Sequence, residues 1–253
     1  MRVADPACIS TWFPMLAATG VPVPKTEIIA GAPADLLTVL DGKPVTGFDG
    51  FIARVRTAAE RLGYPAFLRS GHLSGKHGWR RTCYLENGDR LASHVVAIVE
   101  AAAMADLFGL PLDVWAVRQF LPLAIGFHAF EGLPIARERR YFIANGAVCC
   151  HHAYWPVDAI RQPDAKDWRK RLFALNAESV AEVQHLSDLS MRVAAVFPGA
   201  WSLDWAQDVT GIWWVIDMAP AAQSYHSSGC PMAAQFSADQ EGTRRTKPPK
   251  EGS

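Results

Sequence analysis

With 253 residues, half of them hydrophobic, the chain can bury a substantial core in one compact unit or two small lobes without a partner. Its 25 basic and 25 acidic residues balance, so no overall field attracts nucleic acid or an anionic membrane, and any positive site must be local. No run approaches the ~20 apolar residues of a membrane helix, and the start MRVADPACIS lacks a signal-peptide pattern, which predicts a cytoplasmic protein.

Hydrophobic periods set out the elements in chain order. Residues 9–19 read as a short helix, with Pro14 in its first turn if Ser10 or Thr11 caps it. The prolines of GVPVPKTEII force an extended path. A second helix, FDGFIARVRTAAERLG, has Asp49 as candidate cap and Gly63 as stop. PAFLRS follows as a strand, residues 80–86 as another ending in the turn ENGD, and then a helix from Ser93 to Gly109. Three strands come next, DVWAVRQFLP, ARERRYFIANG and AVCCHHAYW, the last two joined through Asn145 and Gly146 as a hairpin. The longest helix spans NAESVAEVQHLSDLSMRVAAVF. Two final strands, 201–207 and 212–218, turn around Asp208 to Gly211. From Ser237 the tail is polar and expected to be disordered.

The five cysteines are odd in number and form no CxxC pair, so buried free thiols are expected. Within AVCCHHAYW only Cys149 with His151, or Cys150 with His152, shares a strand face, too little for a soft-metal site. The tryptophans of the last hairpin read as core, with Trp205 or Trp213 as candidate pocket walls.

Two segments carry the chemistry. In LGYPAFLRSGHLSGKHGW, Gly71, Gly75 and Gly78 would let backbone N–H groups approach phosphate oxygens, with the ammonium of Lys76 above them. The spacing is not that of GxxxxGK[ST], which excludes a Walker A loop. In WSLDWAQDVTGIWWVIDMAP, Asp204 and Asp217 fall on facing strands and offer hard oxygen ligands suited to Mg²⁺. Along ERRYF, strand alternation puts Glu138 and Arg140 on one face and Arg139 and Tyr141 on the other.

The succession of GVPVPKT, the LGYP strand, the Gly-rich loop, VRQFLP, the ERRYF hairpin, a long helix and an acidic terminal hairpin resembles the ATP-grasp superfamily over roughly residues 8–230. The resemblance implies an α+β protein of ATP-grasp fold, two α/β lobes with antiparallel sheets gripping a nucleotide between them. It divides the chain into an N-terminal segment (1–48), a first lobe (49–121), a second lobe with the metal-binding hairpin (122–236) and a tail (237–253). It implies ATP and Mg as cofactors. Arg69, where relatives usually have lysine, would contact the α- or β-phosphate, and the main chain of Gln119, Phe120 and Leu121 would meet the adenine. Arg140 would stabilise the transferred phosphate, oriented by an ion pair with Glu138, with Arg137, His152 and Tyr154 in reserve. Asp204 and Asp217 would hold the metal.

Two departures stand out: Arg118 and Gln119 where relatives often carry a glutamate, and DMA in place of the usual ExN, so that Ala219 replaces an asparagine ligand. Water or Asp208 would have to fill that gap. Residues 224–228 lie where relatives close over the acceptor. The implied activity is an ADP-forming ligase that joins a carboxylate to an amine through an acyl-phosphate. The short front points to a peptide or protein acceptor. The alternatives are an ATP-binding assembly factor or interaction module with little turnover, and a small-molecule kinase.

Overall fold

A computed structural model of the chain describes residues 5–105, 110–227 and 229–231. Helix α1 (Ile9–Ala18) starts directly behind Cys8, so neither Ser10 nor Thr11 caps it and Pro14 lies inside it. Burial of Ile9, Trp12, Phe13 and Leu16 outweighs the backbone bond that the proline removes. Strand β1 (Thr26–Ala30) continues the extended path, and a 3-10 helix at Leu36–Asp41, unforeseen in the sequence, buries Leu36. Helix α2 (Phe48–Leu62) is preceded by Gly47 in the left-handed region, so Asp49 sits in its first turn and does not cap it; Gly63 ends it as expected.

Strand β2 (Ala66–Ser70) is followed by β3 (Tyr84–Leu85), shorter than the strand expected at 80–86 because the preceding residues wind into turns. Helix α3 (Leu91–Ala105) begins before Ser93, which therefore does not cap it; Gly109, its expected stop, lies outside the described residues. Beyond β4 (Val114–Gln119), β5 (Ile125–Ala129) and β6 (Leu133–Ala136) form a hairpin that the sequence reading missed. Strands β7 (Glu138–Ala144) and β8 (Ala147–Ala153) turn over Asn145 and Gly146, both at positive φ as a tight hairpin requires. Helices α4 (Trp168–Asn176) and α5 (Val180–Ala194) come next, the latter capped by Ser179, whose Oγ accepts from Glu182 N at 3.2 Å. Strands β9 (Ala200–Gln207) and β10 (Trp213–Pro220) follow, and a 3-10 turn at Ala221–Gln223 comes after them.

Two four-stranded antiparallel sheets result, ordered β1-β4-β2-β3 and β10-β9-β7-β8. Helices α2 and α3 pack Val55 and Val95 against Leu68 and Trp115 of the first sheet. The 1–48 segment serves both sheets: β1 pairs with β4, while Trp12 and Leu16 of α1 join Tyr141, Leu203, Trp205 and Val215 in the second core. The β5–β6 hairpin covers a separate cluster that includes Trp79, Phe127, Ile135 and Trp155.

The expectation of buried free thiols holds for Cys8 and Cys83, while Cys149 is free but half-buried. Cys150 of β8 is disulfide-bonded to Cys230, 80 residues away and with the Cα atoms 5.7 Å apart, a pairing that local spacing cannot reveal. No transmembrane-length apolar helix occurs among the described residues.

On the outer face of β7, fully buried Arg139 is ion-paired with Glu178 (2.9 Å) and Glu182 (2.8 Å) at the start of α5. Replacing Arg139 by Met leaves these acids short of a partner and should cost about 3 kcal/mol, as when one member of a buried pair is removed. An unchanged denaturation midpoint would show that the pair contributes nothing net.

Candidate functional site

The pairing register of the first sheet puts Phe67, Arg69, Arg118 and Thr26 on one face, opposite the helices. That face looks across a cavity of about 110 Å³ toward the second sheet. Aromatic and aliphatic side chains wall the cavity, among them Phe67, Trp79, Phe120, Leu133 and Trp155. Its charged lining comprises Arg69, Lys76, Arg118, Glu138, Asp204 and Asp217. The front cations and back acids inferred from sequence therefore share one space.

A single rung of the second sheet organises the charges: Asp217 of β10 opposes Asp204 of β9, which opposes Arg140 of β7, which opposes His152 of β8. Two carboxylates directly opposite repel. Each is held by an arginine. Arg140 grips Asp204 with Nε to Oδ1 at 2.7 Å and Nη2 to Oδ2 at 2.8 Å, a bidentate fork. Arg69, 4% exposed, reaches from the other sheet and donates Nη1 to Asp217 Oδ1 at 2.7 Å. A bulge between Val215 and Asp217 frees Ile216 from the ladder, and its carbonyl accepts from Arg118 Nη1. Burial works against ionisation of Asp217, but Arg69 and Arg118 keep its carboxyl below the usual range.

Lys76 bonds Tyr154 Oη and lies 4.1 Å from the Tyr154 ring centroid and 4.8 Å from that of Trp155. Burial alone would lower its pKa, yet Tyr154, Glu138 and Asp204 raise it above the ordinary value, so the ammonium persists. Glu138, 5% exposed, accepts from Trp155 Nε1 at 2.8 Å. Burial pushes its pKa up from 4.5 to about 7, against the pull of Lys76 and the Trp155 N–H.

Four sequence expectations need correction. Glu138 does not orient Arg140, because Asp204 occupies the guanidinium and Glu138 turns to Trp155. Gly71 and Gly78 do not line the cavity, and their N–H groups are bonded internally, to Val114 O at 2.7 Å and Gly75 O at 3.1 Å. Their smallness serves packing: a Cβ at Gly71 would stand 2.8 Å from Cys8 Sγ, and one at Gly78 2.9 Å from Thr82 Cγ2. Gly75 is likewise off the cavity, at φ 62°, its carbonyl accepting from Thr82 Oγ1 at 2.5 Å. Asp208 does not fill the place of the missing asparagine, since its carboxylate takes Thr210 N, Ile212 N and Trp214 Nε1 in the β9–β10 turn. Finally, Trp79 and Trp155 line the cavity, not Trp205 or Trp213.

Gln119, Phe120 and Leu121 lie at the cavity edge, where Phe120 packs on Tyr84 with centroids 5.3 Å apart. Arg140 is outside the cavity lining; Asp204 stands between. Arg118, noted in the sequence only as a departure from the family pattern, and Trp155, not singled out at all, both line the cavity. A lone cation in the apolar strand VWAVRQ was the available signal for Arg118, whereas nothing local marked Trp155.

A family model for the ATP-grasp domain, R2K clade family 3, matches residues 59–238. The chain belongs to this ATP-grasp family. A search of curated proteins returned no match. Among solved structures, C-terminally truncated Cdc123 from Schizosaccharomyces pombe aligns with a TM-score of 0.56 at 12% identity, over 85% of this chain and 83% of that one. The biotin carboxylase domain of Hydrogenobacter thermophilus 2-oxoglutarate carboxylase, solved with MgADP, ADP and bicarbonate, aligns at 0.52 with 12% identity, over 87% of this chain and 41% of that one. A RimK domain ATP-grasp protein from Sphaerobacter thermophilus aligns at 0.47 with 16% identity, over 85% and 59% respectively. The ATP-grasp chain described here thus spans less than two thirds of the last two, and identities this low show the fold alone.

Among the described residues no group of three acid, histidine or cysteine side chains could hold a metal ion alone. Asp204 and Asp217 supply the right hard oxygens, but both are engaged by arginine, and Ala219, two residues beyond Asp217, has no side-chain ligand to offer. This donor set fits a magnesium that arrives chelated by phosphates and needs one or two carboxylates, not a resident ion.

The Glu138 shift sets a pH window. A folded pKa above the unfolded one stabilises the protein fully below about pH 4.5, and that contribution is lost as pH rises through about 7. Glu138→Gln removes the loss. Relative to wild type, the variant should gain on the order of 3 kcal/mol between about pH 5 and about pH 8 in urea titrations. A constant difference across that range would refute the buried carboxyl assignment.

Proposed function

We propose that this ATP-grasp protein is an ADP-forming ligase that activates a substrate carboxylate as an acyl-phosphate and joins it to an amine, with a peptide or protein as acceptor. The observation that carries the reading is the single cavity in which Arg69, Lys76 and Arg118 of the first half face Glu138, Asp204 and Asp217 of the second. Aromatic walls and the hinge backbone at Gln119, Phe120 and Leu121 suit a purine, and the cationic end suits the phosphates. The setting proposed is cytoplasmic; against it stands the Cys150–Cys230 bond, a feature typical of oxidising compartments.

In this mechanism the substrate carboxylate oxygen attacks the γ-phosphorus, ADP leaves, the amine nitrogen then attacks the acyl carbon, and phosphate departs. Lys76 and Arg69 hold the phosphate oxygens, and their charge matters because phosphoryl transfer is catalysed mainly by positioning and electrostatics. Arg140, held beside the cavity by its fork to Asp204, would add positive charge for the transferred phosphate. Asp204 and Asp217 would hold magnesium, which would supply charge neutralisation to the phosphates. Glu138, poised at about 7, takes the proton that the attacking amine releases.

A second reading, a nucleotide-binding module with little turnover, is favoured by one observation: Ala219 offers no ligand and both acids already carry arginine partners. Phosphate-release assays across carboxylate and amine acceptors, peptides included, separate the two. ADP formation stimulated by an acceptor supports the ligase; tight ATP binding with no ADP under any acceptor supports the module. Lys76→Ala should weaken ATP binding about tenfold or more in calorimetry. Asp217→Asn should depress turnover far more than affinity, and full activity in both variants would sink the residue assignment.

A further inference from the structure

We propose that Arg118, together with Arg69, forms an oxyanion subsite at the cationic end of the cavity, taking either a nucleotide phosphate or the carboxylate of the second substrate. The inference rests on the reading of this cavity as the nucleotide site and adds a residue to it.

Arg118 is 4% exposed and lines the cavity. Its Nε donates to Thr26 Oγ1 at 3.1 Å and its Nη1 to the Ile216 carbonyl, whereas Nη2 has no hydrogen-bond partner among the described residues. Arg69 projects from the neighbouring strand on the same face, and Asp217 is the carboxylate that serves both guanidiniums. Two cations against one anion leave a net positive charge in a nearly dry place, which is costly unless something compensates it. The Phe13 ring, 5.6 Å from Arg118 Cζ, offers only a cation–π contact of roughly 0.5–2 kcal/mol. Burial and the adjacent Arg69 lower the Arg118 pKa to about 9, which still leaves it protonated at neutral pH. A planar guanidinium with a free N–H pair beside a second guanidinium is suited to two oxygens of one oxyanion.

The competing reading is that Arg118 merely ties the two sheets together through Thr26 and Ile216. Arg118→Met distinguishes them, because Arg69 still neutralises Asp217 once the second guanidinium is gone. The experiment compares the full-length wild type and the variant by thermal shift and calorimetry, with ATP, adenosine, tripolyphosphate and citrate as probes. The expectation is a variant that melts close to wild type without ligand and binds adenosine equally well. If it loses about tenfold or more in ATP and tripolyphosphate affinity, the oxyanion is a phosphate. If ATP affinity holds and citrate binding is lost, the oxyanion is a carboxylate. Equal affinity of variant and wild type for all probes overturns the subsite. Should wild type bind tripolyphosphate or citrate but no ATP, the nucleotide reading fails and the subsite survives; should it bind none of the anions, the subsite fails as well. If Arg118→Met does not fold, Arg118→Lys keeps a charge but loses the fork. A severalfold loss of anion affinity is then expected, and wild-type affinity in that variant overturns the proposal.

Discussion

The ion pair between Arg69 and Asp217 is the contact on which the architecture turns, because it joins the middle of one sheet to the edge strand of the other at the floor of the cavity. Arg118 reinforces it from β4 through the Ile216 carbonyl, and that carbonyl is available only because β10 bulges there. Without the arginines, Asp204 and Asp217 would oppose each other in a poorly hydrated space with Lys76 as the remaining cation of the cavity lining. The charges are thus mutually required. Neither half of the site makes electrostatic sense alone.

That interdependence also explains why the site is concentrated in few residues. The apolar walls exclude water and strengthen every charge at the inner end, while the loop glycines contribute compactness rather than ligand contacts. Thr82 clasps the loop through Gly75, and Lys76 is carried on that clasped turn to the Tyr154 and Trp155 rings. The loop therefore delivers one ammonium to a defined place.

Much of this was legible in the sequence, for identifiable reasons. Long amphipathic periods gave α2, α3 and α5, Asn145–Gly146 gave the β7–β8 turn, and strand alternation assigned Arg139 to the opposite face from Glu138 and Arg140. The order of motifs led to the ATP-grasp family. What stayed hidden depends on tertiary pairing. No local pattern says that Asp204 will take Arg140 instead of leaving it to Glu138, that Cys150 will find Cys230, or that Asp208 will be absorbed by its own turn. Caps failed at Asp49 and Ser93 because packing moved the helix starts, and the β5–β6 hairpin was obscured by Pro134 within a short strand.

The segment after β4 has a mechanical consequence. Pro122 O accepts from Val209 N at 2.8 Å and Ala124 N donates to Gln207 O at 2.9 Å, so the chain just past Leu121 is stitched to the tip of the β9–β10 hairpin. Parting the two halves would also have to break the Arg69–Asp217 pair, and because Arg69 is buried, dissolved salt screens that contact only weakly.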